Sequence, residues 1–150
     1  MQLILWRHAE AEDSVPDMSR ALTERGQDQA KKMAAFLLDH MPDDTRILVS
    51  PAKRTQQTAQ ALNRPLITHP SIMPGCSPQD ILQAANWPKE EGCVLIVGHQ
   101  PALGAVAGLL MTGKLQYWSV KKGAIWWFSH RERDGETQAN LRLTISPDFL

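Results

Sequence analysis

Leu3-Ile4-Leu5-Trp6-Arg7-His8 opens the chain with four unbroken apolar residues and closes them with two polar ones. A strand with one wet face alternates. A strand that is apolar at every position fits a sheet covered on both faces, the usual setting of parallel strands. The same design recurs downstream. Arg46-Ile47-Leu48-Val49-Ser50 runs into Pro51-Ala52-Lys53-Arg54, and Cys93-Val94-Leu95-Ile96-Val97 runs into Gly98-His99-Gln100-Pro101. In open α/β sheets, ligands bind beyond the carboxyl ends of the strands. If these strands are parallel neighbours, Arg7, His8, Arg54 and His99 meet on one edge.

The segments between the strands supply the helices. Ala9 to Arg20 is polar, contains Pro16 and reads as a loop. Thr23 is a good N-cap for a helix to about His40, with Ala30, Met33, Ala34, Leu37 and Met41 as its buried stripe. Ser50-Pro51 offers a cap followed by proline at the first helical position, predicting a helix to about Asn63. Leu66-Ile67-Thr68 reads as a short strand, and the proline-broken stretch Pro70–Pro88 leaves room for a short helix near Gln79–Ala85. The helix after Pro101 carries Leu103, Val106, Ala107 and Leu110 on one face, and Gly104 and Gly108 suggest close packing against the sheet. Ala124–Phe128 and Leu141–Ile145 flank a polar segment, His130–Asn140, that holds Asp134-Gly135, a hairpin signal. Alternating strands and helices, then an antiparallel pair, predict an α/β fold. It has three α/β/α layers, a mostly parallel sheet and an antiparallel C-terminal hairpin. The 150 residues fit one domain spanning 1–150.

Lys plus Arg and Asp plus Glu each number 16, so the formal net charge is zero. That balance argues against a nucleic-acid partner, which calls for a basic excess, but leaves room for a locally positive pocket. The five tryptophans lack basic interleaving and read as core and rim packing. Cys76 and Cys93 lack metal-ligand spacing and read as free thiols in a reducing compartment. There is no basic leader and no apolar run of bilayer length, so no membrane association and a cytoplasmic location are expected.

Two arginines and two histidines converging on one edge suit phosphate. Guanidinium forks match phosphate oxygens two at a time and stay charged. Arg7 and Arg54, with Ser50 and Gln100 from the same strand ends, are the expected substrate contacts. A neutral imidazole can attack phosphorus covalently, and neighbouring cations favour the neutral form. A lone histidine at a strand end is more often a satisfied structural group, and a helical arginine is more often a solvated charge. The reading rests on their joint placement. His8, Glu10, Glu12 and Asp13 form an acidic cluster without a metal-binding motif, so no metal and no cofactor are expected.

The sequence is identified as resembling the histidine phosphatase superfamily, whose phosphoglycerate mutase-like fold it would then share. Arg7-His8-Ala9 resembles the family's Arg-His-Gly signature, with Ala9 in place of the commoner glycine. Leu22-Thr23-Glu24-Arg25-Gly26 with Gln29-Ala30 resembles its second block. Val49–Ala59 resembles the block with the second arginine, and Val97–Pro101 the block with the second histidine. The resemblance implies that His8 is phosphorylated during turnover and that Arg7, Arg54 and His99 line the phosphate pocket. The small size and the ending Thr144-Ile145-Ser146-Pro147 resemble the SixA-type phosphohistidine phosphatases. Mutase-like members carry a glutamate general acid where Pro70–Pro88 here offers only Asp80. An alkoxide leaving group benefits from a proton donor, whereas an imidazole can leave already protonated near neutral pH. The expected substrate is therefore a phosphohistidine-bearing protein. A small phosphatase acting on phosphate esters, with Asp80 or water as proton donor, is one alternative. A non-catalytic phosphate-binding module is another.

Overall fold

The computed structural model describes residues 1–150, with the backbone alone at residue 137. The strands are β1 (Gln2–Arg7), β2 (Arg46–Val49), β3 (Ile67–Thr68), β4 (Cys93–Gly98), β5 (Ile125–Arg133) and β6 (Glu136–Ile145). The helices are α1 (Glu24–His40), α2 (Lys53–Gln60), α3 (Pro78–Ala84) and α4 (Ala102–Thr112). All six strands form one sheet in the order β3-β2-β4-β1-β5-β6. β3, β2, β4 and β1 are parallel, whereas β5 runs antiparallel to β1 and β6 to β5.

Side chains alternate across the pleat, so each apolar strand feeds two cores. On one face Ile4, Trp6, Ile47, Val49, Leu95 and Val97 pack with Met33, Ala34 and Leu37 of α1 and Ala59 of α2. On the other Leu3, Leu5, Leu48, Val94 and Ile96 pack with Ile81 of α3 and Leu103, Val106 and Ala107 of α4. This is the expected three-layer α/β/α arrangement, and it explains why the central strands carry no polar face.

α1 starts where expected, with the Thr23 hydroxyl accepting the Gly26 N–H at 2.9 Å. α2 departs from expectation. It begins at Lys53 with Ala52 as N-cap and stops at Gln60, while the Ser50 hydroxyl both accepts the Ala52 N–H and meets His99 Nε2. α3 starts with a capping box: the Ser77 side chain accepts the Asp80 N–H while the Asp80 carboxylate accepts the Ser77 N–H. The hairpin strands run on to a two-residue turn. Asp134 and Gly135 both have positive φ, 54° and 79°, the geometry that joins twisted strands most tightly. The polar segment expected between the strands is therefore mostly strand, extending past the core. Gly104 and Gly108 face the chain segment after α4 rather than the sheet. A Cβ on either would collide with a backbone carbonyl, of Trp118 or of Gln116.

Candidate active site

The register of the sheet aligns the three strand ends. Arg7 pairs with Gly98 and Val49 with Val97, and the chain just beyond stays tied together. His8 N–H donates to the Gly98 carbonyl, and Ser50 N–H to the Val97 carbonyl, both at 3.1 Å. The side chains of His8, Ser50, Arg54 and His99 are all buried at this edge.

The His8 and His99 rings lie with centroids 5.4 Å apart and planes tilted by 54°. His8 Nδ1 is 2.7 Å from the Ala9 carbonyl oxygen. A carbonyl only accepts, so Nδ1 carries the proton and Nε2 keeps a free lone pair. Burial pushes the His8 pKa down to about 4, a hydrogen bond to Ala9 opposes the shift, and the charges of Arg54, Arg7 and Arg20 add to it. His8 is therefore an uncharged imidazole with an unprotonated Nε2 at neutral pH. The loop that holds it is fixed in turn, since Ala9 N–H donates to the Thr58 hydroxyl at 3.0 Å, one helical turn beyond Arg54.

His99 Nε2 lies 2.7 Å from the Ser50 hydroxyl, which accepts the Ala52 N–H at 3.3 Å. A hydroxyl oxygen has two lone pairs besides its proton, so Ser50 meets Nε2 either as acceptor or as donor, and when it donates the ring's own proton sits on Nδ1. Burial and then the neighbouring His8 and Arg54 push the His99 pKa down to about 3.

Arg54 is held from outside. Its guanidinium donates to the Asp17 carbonyl at 2.8 Å and to the Asp17 carboxylate at 3.2 Å. Asp17 begins a 3-10 turn (Asp17–Ser19) in the loop after β1. Desolvation pushes the Asp17 pKa up, but the hydrogen bonds and charges of Arg54 and Arg20 outweigh it and the pKa ends below its ordinary value. Arg7 donates to the Val120 carbonyl at 2.8 Å, linking the site to the segment before β5. Arg7 Nε, Arg54 Nε and His99 Nδ1 are buried nitrogens without a hydrogen-bond partner among the described residues, and His99 Nδ1 joins the two guanidinium donors when Ser50 donates to Nε2. Such nitrogens at three strand ends suit an anion, because a buried unpaired donor is costly unless a ligand satisfies it.

Two expected contacts sit differently. The Ser50 side chain faces His99 and acts through it. Gln100 is engaged elsewhere: its amide accepts the Gly104 N–H at 2.7 Å and donates to the Trp118 carbonyl at 2.9 Å. Asp80 completes the cap of α3, its carboxylate accepting the Ser77 N–H at 3.0 Å. Asp17, Arg20, Thr58 and the Val120 carbonyl were not singled out in the sequence. Asp17 and Arg20 lie in a polar loop whose side chains acquire meaning only once folded against Arg54, and a backbone carbonyl has no sequence signature. No group of three or more His, Cys, Asp or Glu side chains among the described residues is placed to hold a metal ion.

Residues 3–76 match the model of the histidine phosphatase superfamily (branch 1). The chain is 32% identical over 163 residues to an uncharacterized protein of Picosynechococcus sp., covering 100% of this chain and 99% of that one. It is 31% identical over 128 residues to the phosphohistidine phosphatase SixA of Escherichia coli, covering 76% of each chain. The structure of the protein histidine phosphatase SixA complexed with tungstate superposes with a TM-score of 0.82 at 25% identity, covering 99% of both chains.

Proposed function

The chain belongs to the histidine phosphatase superfamily, and from that premise we propose that it hydrolyses protein phosphohistidine through a phosphorylated His8. His8 Nε2 attacks phosphorus in line, the P–N bond of the substrate breaks, and the substrate imidazole leaves. Water then attacks phospho-His8, releasing inorganic phosphate and returning the ring. Arg7, Arg54 and His99 Nδ1–H stabilise charge on the equatorial oxygens during both steps. No metal takes part in this scheme.

The observation that carries the reading is the set of three unpartnered buried nitrogens, Arg7 Nε, Arg54 Nε and His99 Nδ1, beside a neutral His8 whose Nε2 is unprotonated. The choice of a P–N bond rests on the carboxylates. Asp80 is tied into a helix cap, and Asp17 is held ionised against Arg54, so neither offers a proton to an alkoxide. An imidazole leaving group needs less help, since its own pKa lies near neutrality.

Stopped-flow quenching with a radiolabelled phosphohistidine protein tests this. The expected result is an acid-labile, base-stable label on the wild type that is lost in His8→Ala. Turnover of an alkyl phosphate should be at least about a hundredfold slower, the scale of general-acid assistance. Comparable turnover of both substrates would remove the P–N assignment. Hydrolysis with no trapped label would remove His8 as nucleophile.

A further inference from the structure

A cleft of about 640 Å³ opens from Arg7 and runs between α1 and the segment preceding β5. Arg25 and Lys32 of α1 line one wall, and Lys121 and Lys122 the other. All four are exposed, and none forms an ion pair among the described residues. Three carboxylates share the cleft. Glu10 accepts from the Thr23 hydroxyl, Asp148 accepts from the Ser146 hydroxyl and feels the charges of Lys121 and Arg25, and Asp28 completes the set, so the four cations outnumber them even before Arg7 is counted. In a chain of zero net charge this excess is local, not a general affinity for polyanions.

Beside it lies a hollow of about 460 Å³ that shares Ser119, Lys121 and Ser146 with the cleft. Its walls include Trp126, Ile145 and Phe149, and Phe149 is 77% exposed. One face of the molecule therefore presents, in sequence, the phosphoryl receptor, a cleft with an excess of cations and an apolar hollow. We infer that this face docks an acidic, amphipathic protein surface: its carboxylates meet Arg25, Lys32, Lys121 and Lys122, and its apolar side chain enters the hollow at Phe149. A small phosphorylated metabolite would reach the receptor and the nearest cations but leave the hollow uncovered. The inference rests on the phosphohistidine reading and names the partner that reading leaves open. Docking at Lys121 is also adjacent to chemistry, because the preceding Val120 carbonyl holds Arg7.

The test uses three P–N substrates: two helical phosphohistidine peptides, one flanked by glutamates and leucines and one by lysines, and the phosphoramidate ion. Charges at an interface rim act mainly on encounter rate and salt dependence. Wild-type kcat/KM should favour the acidic peptide over the lysine peptide by about tenfold or more at low ionic strength, and the gap should close in high salt. The double variant K121E/K122E, each value divided by its own phosphoramidate turnover, should reverse that order. Phe149→Ala should raise KM for the acidic peptide more than for the lysine peptide. Equal kcat/KM for the two peptides, or a double variant that scales all three substrates alike, would overturn the docking surface while leaving the phosphohistidine reading intact. Failure to hydrolyse any of the three, with an alkyl phosphate consumed, would instead overturn the underlying reading.

Discussion

Ser50 shows how a residue can matter to a phosphate site without touching phosphate. Its hydroxyl is fully buried, accepts from Ala52 and lies 2.7 Å from His99 Nε2; donating its proton there would hold the His99 proton on Nδ1, toward the phosphoryl group of the proposed reaction. Ser50→Ala should leave His99 free to place its proton on Nε2, withdrawing a donor from the transferring phosphoryl group. One hydrogen bond contributes about 0.5–1.5 kcal/mol, and 1.36 kcal/mol is tenfold in rate. We expect kcat to fall by up to about tenfold with KM little changed. An unaltered kcat in steady-state assays would show that the His99 tautomer is set by other means. At this scale the sequence was most informative about ionisable side chains. Arg7, His8, Arg54 and His99 stand out because each follows an apolar strand, and the structure brings them to one edge. Gln100 follows the same strand end, yet its amide is consumed by two backbone groups. Nothing in a sequence says whether an amide is free.

At the scale of elements, the site depends on a chain of contacts leading away from it. α4 packs so closely on the following segment that Gly104 leaves no room for a Cβ beside the Trp118 carbonyl, and Gln100 stitches the two together. That segment then delivers the Val120 carbonyl to Arg7. In an exposed helix Gly→Ala would gain about 1 kcal/mol from propensity. Here the clash is with backbone, which cannot swing away as a flexible side chain can, and overpacking of this kind costs about 1–3 kcal/mol. Gly104→Ala should therefore lower the denaturant midpoint and, by displacing Val120 from Arg7, also reduce kcat/KM. A rise in the midpoint would show that the segment after α4 gives way freely. The spacing of Gly104 and Gly108 signalled a close approach, but the partner is a loop rather than the sheet. Periodicity marks which face is crowded without saying what crowds it. The shift in the start of α2 has a similar origin. Ser50-Pro51 has the local chemistry of a helix start and the Ser50 hydroxyl does accept the Ala52 N–H, but the helix sets in only at Lys53 and the hydroxyl also meets the distant His99.

At the scale of the whole molecule, the fold carries two histidines at pKa values well below that of the unfolded chain. His8 is pushed down to about 4 and His99 to about 3, first by burial in both cases. An unfolded histidine titrates near 6.5. Between about pH 6.5 and 4 the unfolded chain therefore binds protons that the native state refuses. Stability is fully present above the unfolded pKa and falls as the pH drops, because it rises with pH wherever the unfolded state holds more protons. With two such groups the slope should approach roughly 2–3 kcal/mol per pH unit near pH 5.5, at about 1.36 kcal/mol per proton. Carboxylates such as Asp17, whose pKa is lowered, add their own loss only at lower pH. Urea titrations at half-unit steps from pH 7 to 5 should show this slope in the wild type and a much flatter line in the double variant His8→Asn/His99→Asn. The reading depends on slope, so a change in absolute stability from the substitutions does not confuse it. Equal slopes would mean that the two rings take up protons in the native state as readily as in the unfolded one. The same burial that costs stability in acid keeps His8 unprotonated, so the arrangement that weakens the fold below neutrality is the one that leaves Nε2 free to attack.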